Sequence, residues 1–288
     1  MSLEVTLFLG LLDGVVSGSI IALVALGLSI VFGVMRIVNV SHGEFFMLGA
    51  VLAWYSATLL DNFFIALVAA PLMAAAVAVV VERFTLRPIK YNPESTIVVT
   101  IGLLYIIQQL VLTIYGPYAR PVVPPIYFRI DFPWFGYSGY KIVIAGVSAM
   151  LMGLTWFIIF KTRLGLYMRA TRQDSEISQA FGVPIGRVYV AALALGTALA
   201  AISGVLVVPV QQAYYLMGLD ALLISFMVVI IGGLGSLKGT LTAAFMVGVI
   251  DGVVSVFFSP TLARIVASLM VIVVLLLRPR GLFGTEAT

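Results

Sequence analysis

The sequence predicts an all-α, polytopic helical membrane protein of about 8–9 spans, and three observations carry that expectation. Hydrophobic residues make up 62% of the 288-residue chain and charged residues 10%, with a mean hydropathy of +1.18. A soluble domain carries about 25% charged residues, so this chain lacks the polar groups to cover a water-facing surface. Apolar runs of roughly 17–25 residues recur along it, each long enough to cross about 30 Å of hydrocarbon as a helix. The runs are continuous rather than alternating, and spanning backbone must satisfy its own hydrogen bonds, so helices are favoured over a closed barrel.

Apolar runs and their punctuation place the spans at roughly 6–34, 44–60, 63–83, 95–115, 140–160, 187–208, 219–235, 240–258 and 261–277. Between the fourth and fifth lies YGPYARPVVPPIYFRIDFPWFGYSGY, 115–140, too polar and proline-laden to span. Its Tyr, Trp and Phe residues suit the headgroup level. No segment reads as a soluble domain, so 1–288 is expected to be a single transmembrane domain with an outer loop at 116–139 and a cytoplasmic loop at 161–187.

Lys and Arg set the orientation. With Lys161, Arg163, Arg169, Arg172 and Arg187 inside, counting crossings puts Arg36, Arg83, Arg87, Lys90, Lys238, Arg278 and Arg280 inside too. Only Arg120, Arg129, Lys141 and Arg264 fall outside. This positive-inside bias places the N-terminus outside and the C-terminus inside. It also accounts for the net charge of +4 and the pI near 9.4 without a nucleic-acid partner. The stretch MSLEVTLFLG has no basic residue, so the first span is expected to be retained rather than cleaved as a signal peptide. With no cysteine and a single histidine, disulfides, thiolate chemistry and Cys- or His-rich metal sites are excluded.

Internal repetition is faint. DGVVS occurs at 13–17 and 251–255, and glycine-serine breaks interrupt apolar sequence in RIVNVSHGEFFMLGA and GGLGSLKGTLTAA. Paired broken segments point to a transport path, but the crossing count gives these two breaks the same sense, whereas an inverted repeat would oppose them.

Candidate chemistry gathers in two places. In RIVNVSHGEF, 36–45, polar groups lie between two spans, and such groups near membrane depth tend to mark a pathway or gate. Asn39, Ser41 and Gly43 offer hydrogen-bonding groups and exposed backbone to a passing zwitterion. Glu44 could meet an ammonium, Arg36 a carboxylate, and His42 could donate or accept. The alternative is a plain cytoplasmic turn, with Arg36 snorkelling and His42 bonded to backbone. In KTRLGLYMRATRQDSEISQAFGVPIGR, 161–187, Asp174 and Ser175 mark a helix start, Gly182 a stop, and Pro184 forbids continuation. A short helix flanked by bases could dock a cytoplasmic partner or be an ordinary positive-inside loop.

Elsewhere the signals are structural. Gly232, Gly233 and Gly235 in GGLGS read as close packing and a helix break, since no Lys-Ser/Thr pair follows to make a phosphate loop. ALALGTALAAISGV, 192–205, reads as a packing surface. Asp13, Glu82 and Asp251 are scattered, without the acid–histidine chain of a proton relay. No HExxH, aspartate pair or Ser-His spacing supports an intramembrane enzyme, because adjacent Ser41 and His42 cannot face each other on a helix.

Four segments in fixed order carry a resemblance: LGLSIVFGVMRIVNVSHGEFFMLGA (26–50), MRATRQDSEISQAFGVPIGRV (168–188), VVIIGGLGSLKGTL (228–241) and LLLRPRGLFG (275–284). Together they resemble, nearly end to end, the LivH-type branched-chain amino acid permeases of ATP-binding-cassette importers. Glu176 with Gly182 also resembles the Glu-Ala-Ala…Gly loop of such permeases, with Ile177 and Ser178 at the alanine positions. The resemblance implies a type II ABC importer-like permease fold in the bacterial or archaeal inner membrane. It implies a heterodimer with a second related permease, two cytoplasmic ABC ATPases holding ATP and Mg, and a periplasmic substrate-binding protein. An ATPase-coupling loop would then include Arg169, Asp174, Glu176, Ala180 and Gly182. The chain has no GxxxxGK[ST] of its own, so no cofactor, metal or catalytic residue is assigned to it, and its surroundings are lipid. The function expected is import of branched-chain or related amino acids by alternating access, with a urea or short-amide permease, or an ion-coupled secondary transporter, as alternatives.

Overall fold

The computed structural model describes residues 3–284; Met1, Ser2 and 285–288, the ends of the expected single domain, lie outside the described residues. In chain order the elements are α1 (Leu3–Met35), α2 (His42–Leu59), α3 (Phe64–Val81), α4 (Pro93–Tyr115), β1 (Arg129–Asp131), β2 (Gly136–Ser138) and α5 (Gly139–Lys161). There follow α6 (Arg163–Gln173), α7 (Ser175–Ala180), α8 (Ile185–Val207), α9 (Met217–Gly232), α10 (Leu237–Phe257) and α11 (Pro260–Leu277). A π-helical turn, Glu82–Leu86, prolongs α3. Helix starts follow from side chains that satisfy the free N–H groups of the first turn. Asn92 accepts from the Ser95 N–H ahead of α4, Ser236 from Gly239 ahead of α10, and Ser259 from Leu262 ahead of α11. Pro93 and Pro260 open their helices, where the missing N–H costs nothing.

Every apolar run of the sequence is a helix, but the described residues contain seven helices long and apolar enough to cross a membrane alone. The two exceptions are α2 and α9. Each is completed into a crossing by an extended segment that enters the bundle before the helix begins. Residues 36–41 leave α1 at the end marked by Arg36 and turn back, so that His42 opens α2 against Val24, well inside α1. At its far end α2 brings Trp54 and Tyr55 against Tyr115, the last residue of α4. Residues 208–216 enter from that opposite end, and α9 starts inside, with Gly218 against Gly43. The number of crossings is therefore unchanged although two spans are discontinuous.

The ends differ chemically. Basic residues expected inside cluster where α1, α3, α5 and α11 finish and α4, α8 and α10 start. The opposite end carries the 116–139 loop, whose antiparallel β1–β2 hairpin departs from an all-α chain. Phe132 and Phe135 of this loop pack on Phe8. Lys141 pairs with Asp13 at 2.6 Å, and the Tyr137 hydroxyl donates to the same carboxylate at 2.7 Å. Burial, and then that bond, push the Tyr137 hydroxyl far above the ordinary phenol range, so it remains a donor.

At the centre α1 packs along α10, as α8 packs on α3; α2 packs on α8, as α9 does on α1; and α2 meets α3 as α9 meets α10. These pairings exchange α1 with α8, α2 with α9 and α3 with α10, elements of opposite direction. Two contacts lie on the exchange itself. A Cβ on Gly27 would strike the Gly196 carbonyl and one on Gly196 the Gly27 carbonyl; Gly43 and Gly218 block each other in the same reciprocal way. Ala-Leu-Gly at 25–27 and 194–196 is the matching sequence. The chain is thus two inverted halves with an axis through these glycine pairs. The sequence-based pairing of 36–45 with GGLGS is corrected: the counterpart of the first break is 208–216. The two DGVVS copies are not repeat equivalents; they pack against each other across α1 and α10, Gly14 on Gly252.

Gly43→Val is expected to prevent a monodisperse protein in detergent, because its side chain would meet the Gly218 carbonyl and, at 2.8 Å, Leu222 Cβ. Gly146→Val in α5, where nothing lies within 4 Å, should elute as wild type. Equal elution of both variants would contradict the close approach.

Candidate functional site

Three places carry the polar groups: a node where α2 and α9 begin, a cavity at the hairpin end, and the α6–α7 loop at the basic end. At the node, Asn39 Oδ1 accepts from the Ser41 N–H at 3.1 Å and from the Ser41 hydroxyl at 2.8 Å. Thr100 Oγ1 accepts from the Val40 N–H at 3.1 Å. Non-helical backbone inside a bundle needs such side-chain partners. His42 is fully buried, with Nε2 3.1 Å from the Val24 carbonyl. A carbonyl only accepts, so Nε2 carries the proton. Its ring fits because Gly27 has no side chain; a Cβ there would lie 3.1 Å from His42 Cε1.

Glu44 is also fully buried, and its Oε1 accepts from Gln108 Nε2 at 3.0 Å. It lies in the first turn of α2, and a Cβ on Gly218 in α9 would come 3.0 Å from the same oxygen. Two helix N-termini, each with positive dipole character, thus meet at one carboxylate. Glu44 Oε2 and His42 Nδ1 have no hydrogen-bond partner. The structure brings Asn39, Ser41, His42, Gly43 and Glu44 together as one packed cluster; in this conformation they face protein and do not line the cavity.

The cavity, of about 350 Å³, lies between α1, α9, α10 and α11 and is reached by Phe46 of α2. Among its lining residues are Asp220, Asp251, Arg264 and Tyr214. Of these only Asp251, one of the scattered acids and the one within the expected span 240–258, was singled out in the sequence. Asp220 and Arg264 each stand near the start of an apolar run of the same direction, and opposite charges at the same end of two such runs were the available signal. Asp13 is committed to Lys141 and Tyr137, and Glu82 accepts from the Tyr91 hydroxyl at 2.5 Å.

At the basic end, the sequence missed α6, whose start is capped by Thr162 Oγ1 accepting from the Gly165 N–H at 3.2 Å. Asp174 Oδ1 accepts from the Ile177 N–H at 2.9 Å and starts α7, as expected. Gly182 ends it with φ +83, and its N–H donates to Gln179. Asp174, Glu176, Ala180 and Gly182 are exposed together, beside exposed Ile177 and Phe181. Arg169 faces elsewhere, its guanidinium 5.3 Å from the Phe160 ring. Arg36, in left-handed conformation at the end of α1, donates from Nη2 to the Arg172 carbonyl at 3.1 Å, in the last turn of α6. This links the broken 36–41 segment to the loop. Gly232, Gly233 and Gly235 form the connection between α9 and α10; Gly233 and Gly235 have φ +100 and +76, and Gly235 packs on Gly33 at the end of α1.

Gln108→Leu, which leaves Glu44 without a partner, is expected to cost about 1–3 kcal/mol, while the double variant Glu44→Leu/Gln108→Leu should cost less. Thermal unfolding in detergent checks this; a double variant as destabilised as the sum of the single ones would contradict the buried pairing.

Residues 10–275 match the family described as branched-chain amino acid transport system / permease component. The chain is 27% identical to the high-affinity branched-chain amino acid transport system permease protein LivH of Salmonella typhimurium, over 94% of each chain. It is 26% identical to the corresponding protein BraD of Pseudomonas aeruginosa, over 95% of this chain and 94% of that one. An archaeal LivH relative from Methanocaldococcus jannaschii is 23% identical, over 96% of this chain and 92% of its own. No solved structure matches. Discontinuous helices beside seven helices, among the described residues, long and apolar enough to cross a membrane, and a match along almost the whole length, establish a multi-pass, non-catalytic membrane protein that belongs to the permease family of branched-chain amino acid ABC transport systems.

Proposed function

We propose that this chain is the permease subunit of an ATP-driven importer that carries branched-chain or related amino acids across the inner membrane by alternating access. Its relatives are named for branched-chain amino acid transport, which favours that substrate class over urea or short amides. Two cytoplasmic ATPases, with their own ATP and Mg, would drive it. A second related permease would complete the pathway, and a periplasmic binding protein would deliver substrate to the hairpin end.

The observation that carries this reading is the exposed α7 knob. Ile177 and Phe181 stand 57% and 86% exposed at the basic end, on a short helix held at both ends by its own caps. Apolar side chains presented on a rigid knob fit a groove on a partner. An ion-coupled transporter acting alone gives them no role. Force applied there has a route inward: α7 follows α6, α6 is gripped by Arg36, and Arg36 opens the extended segment that leads to the node. Asn39, Ser41, His42, Gly43 and Glu44 would then act as the gate, opening when α2 and α9 part.

Gly182→Val should abolish ATP-driven leucine uptake while leaving the chain in the membrane, because its left-handed backbone costs a residue with a side chain about 1–2 kcal/mol, and a β-branched one more. Gly182→Asn should retain uptake, since asparagine tolerates that conformation. Glu176→Lys, which reverses the charge on the knob, should uncouple in the same assay. Normal uptake in Gly182→Val and Glu176→Lys alike would refute docking through α7.

A further inference from the structure

We propose that the cavity between α1, α9, α10 and α11 is a binding site for a zwitterionic α-amino acid with an aliphatic side chain, Asp251 taking the ammonium and Arg264 the carboxylate. This deepens the importer reading and rests on it for the direction of transport, though not for the binding itself.

The geometry supplies three complementary parts. The first is a carboxylate without a direct partner. Asp251 lies half-buried within α10 and, among the described residues, makes no hydrogen bond or close ion pair, the charge that acts on it being that of Arg264 across the cavity. An acid inside a span is costly unless it faces a partner or a ligand. A proton relay is disfavoured because the other acids are engaged, Asp13 with Lys141 and Tyr137 and Asp220 with Arg264 and Tyr214.

The second is a positioned guanidinium. Arg264 of α11 pairs with Asp220 of α9 at 3.5 Å through Nη1 and Oδ1. The other oxygen of Asp220 accepts from the Tyr214 hydroxyl at 2.9 Å. Asp220 is thereby engaged at both oxygens and draws one donor of the largely exposed Arg264 toward the cavity, while most of the five guanidinium donors remain free for a carboxylate, the group their planar fork fits. Asp220 and Tyr214 are thus positioning residues.

The third is an apolar recess. The three charged residues line the main cavity and also a smaller one of about 90 Å³, walled by Ile21, Leu223, Ile224, Met227 and Val247. The charged groups thus border a polar space on one side and an apolar one on the other. That arrangement matches a ligand whose charged groups share one carbon and whose side chain is a short branched hydrocarbon. A monocarboxylate would leave Asp251 unpaired, and a simple amine would leave the guanidinium unused. An uncharged amide could hydrogen-bond to both groups but would neutralise neither charge.

The test is equilibrium binding of tritiated L-leucine to the full chain, purified with its co-purifying subunits into nanodiscs. Asp251→Asn and Arg264→Gln are each expected to weaken leucine binding about tenfold or more, the effect of losing one charge-assisted bond, and Asp251→Glu should recover part of the loss. Ile224→Trp, which fills the recess, should lose leucine and keep alanine. Against wild type, 4-methylpentanoate and isopentylamine should compete about tenfold less well than leucine. Leucine binding unchanged in Asp251→Asn and Arg264→Gln overturns the site, as does equal loss of leucine and alanine in Ile224→Trp. ATP-driven uptake is read separately: uptake that persists with unaltered binding in the variants removes this site and leaves the importer reading. Wild-type binding without ATP-driven uptake does the reverse.

Discussion

The structure depends on one constraint: backbone that leaves a helix inside a membrane protein must find hydrogen-bond partners there. The chain breaks in this way at 36–41 and at 208–216. At the first, Thr100, Asn39 and Ser41 supply the partners that water would supply elsewhere. At the second, the 213 backbone pairs with the 120 backbone, and the Tyr115 hydroxyl donates to the Ala213 carbonyl. Both breaks lead to helices that start against each other at Gly43 and Gly218. No larger residue allows that approach, and Glu44 is placed where both helix ends favour an anion.

This arrangement separates two tasks. The cavity at the hairpin end is roomy, carries both signs of charge and is bounded by the same two helix starts, through Phe46 and Met217. The node beneath it is packed and its side chains face one another. Movement of α2 relative to α9 would therefore be felt at once by the cavity and by the seal. A ligand biases such a pair of states only by binding one better than the other, and Asp220 at the cavity stands on α9, one of the two helices whose separation would open the node. Arg36 ties the same broken segment to the basic-end loop, so the two ends of the molecule are joined through a few named contacts.

Much of the fold was legible because its signals are local. Each apolar run became a helix, and Asp174, Asn92, Ser236 and Ser259 began helices as capping residues do. The polar stretch 36–45 was recognisable as a special place by the cost of polarity near membrane depth. Its counterpart was missed because VPVQQAYYLMGLD looks like an ordinary outer loop, whereas GGLGS looks like a break; which of the two re-enters the bundle is decided by contacts with Gly43 and Gly33, far away in sequence. Asp220 and Arg264 escaped for the same reason. Each alone is one charge at a span end, and only the packing of α9 against α11 makes them a pair.

The absence of cysteine from the sequence allows the central claim, a sealed node beneath an outward-facing cavity, to be measured directly with single cysteines and a membrane-impermeant maleimide. Ser17→Cys in the cavity should react from the outer side at rest while Ser41→Cys in the node stays protected. During ATP turnover by the complete transporter, Ser41→Cys should become reactive from the cytoplasmic side as labelling of Ser17→Cys falls. Reaction of Ser41→Cys from the outer side at rest, or labelling of both positions that ATP leaves unchanged, would contradict it.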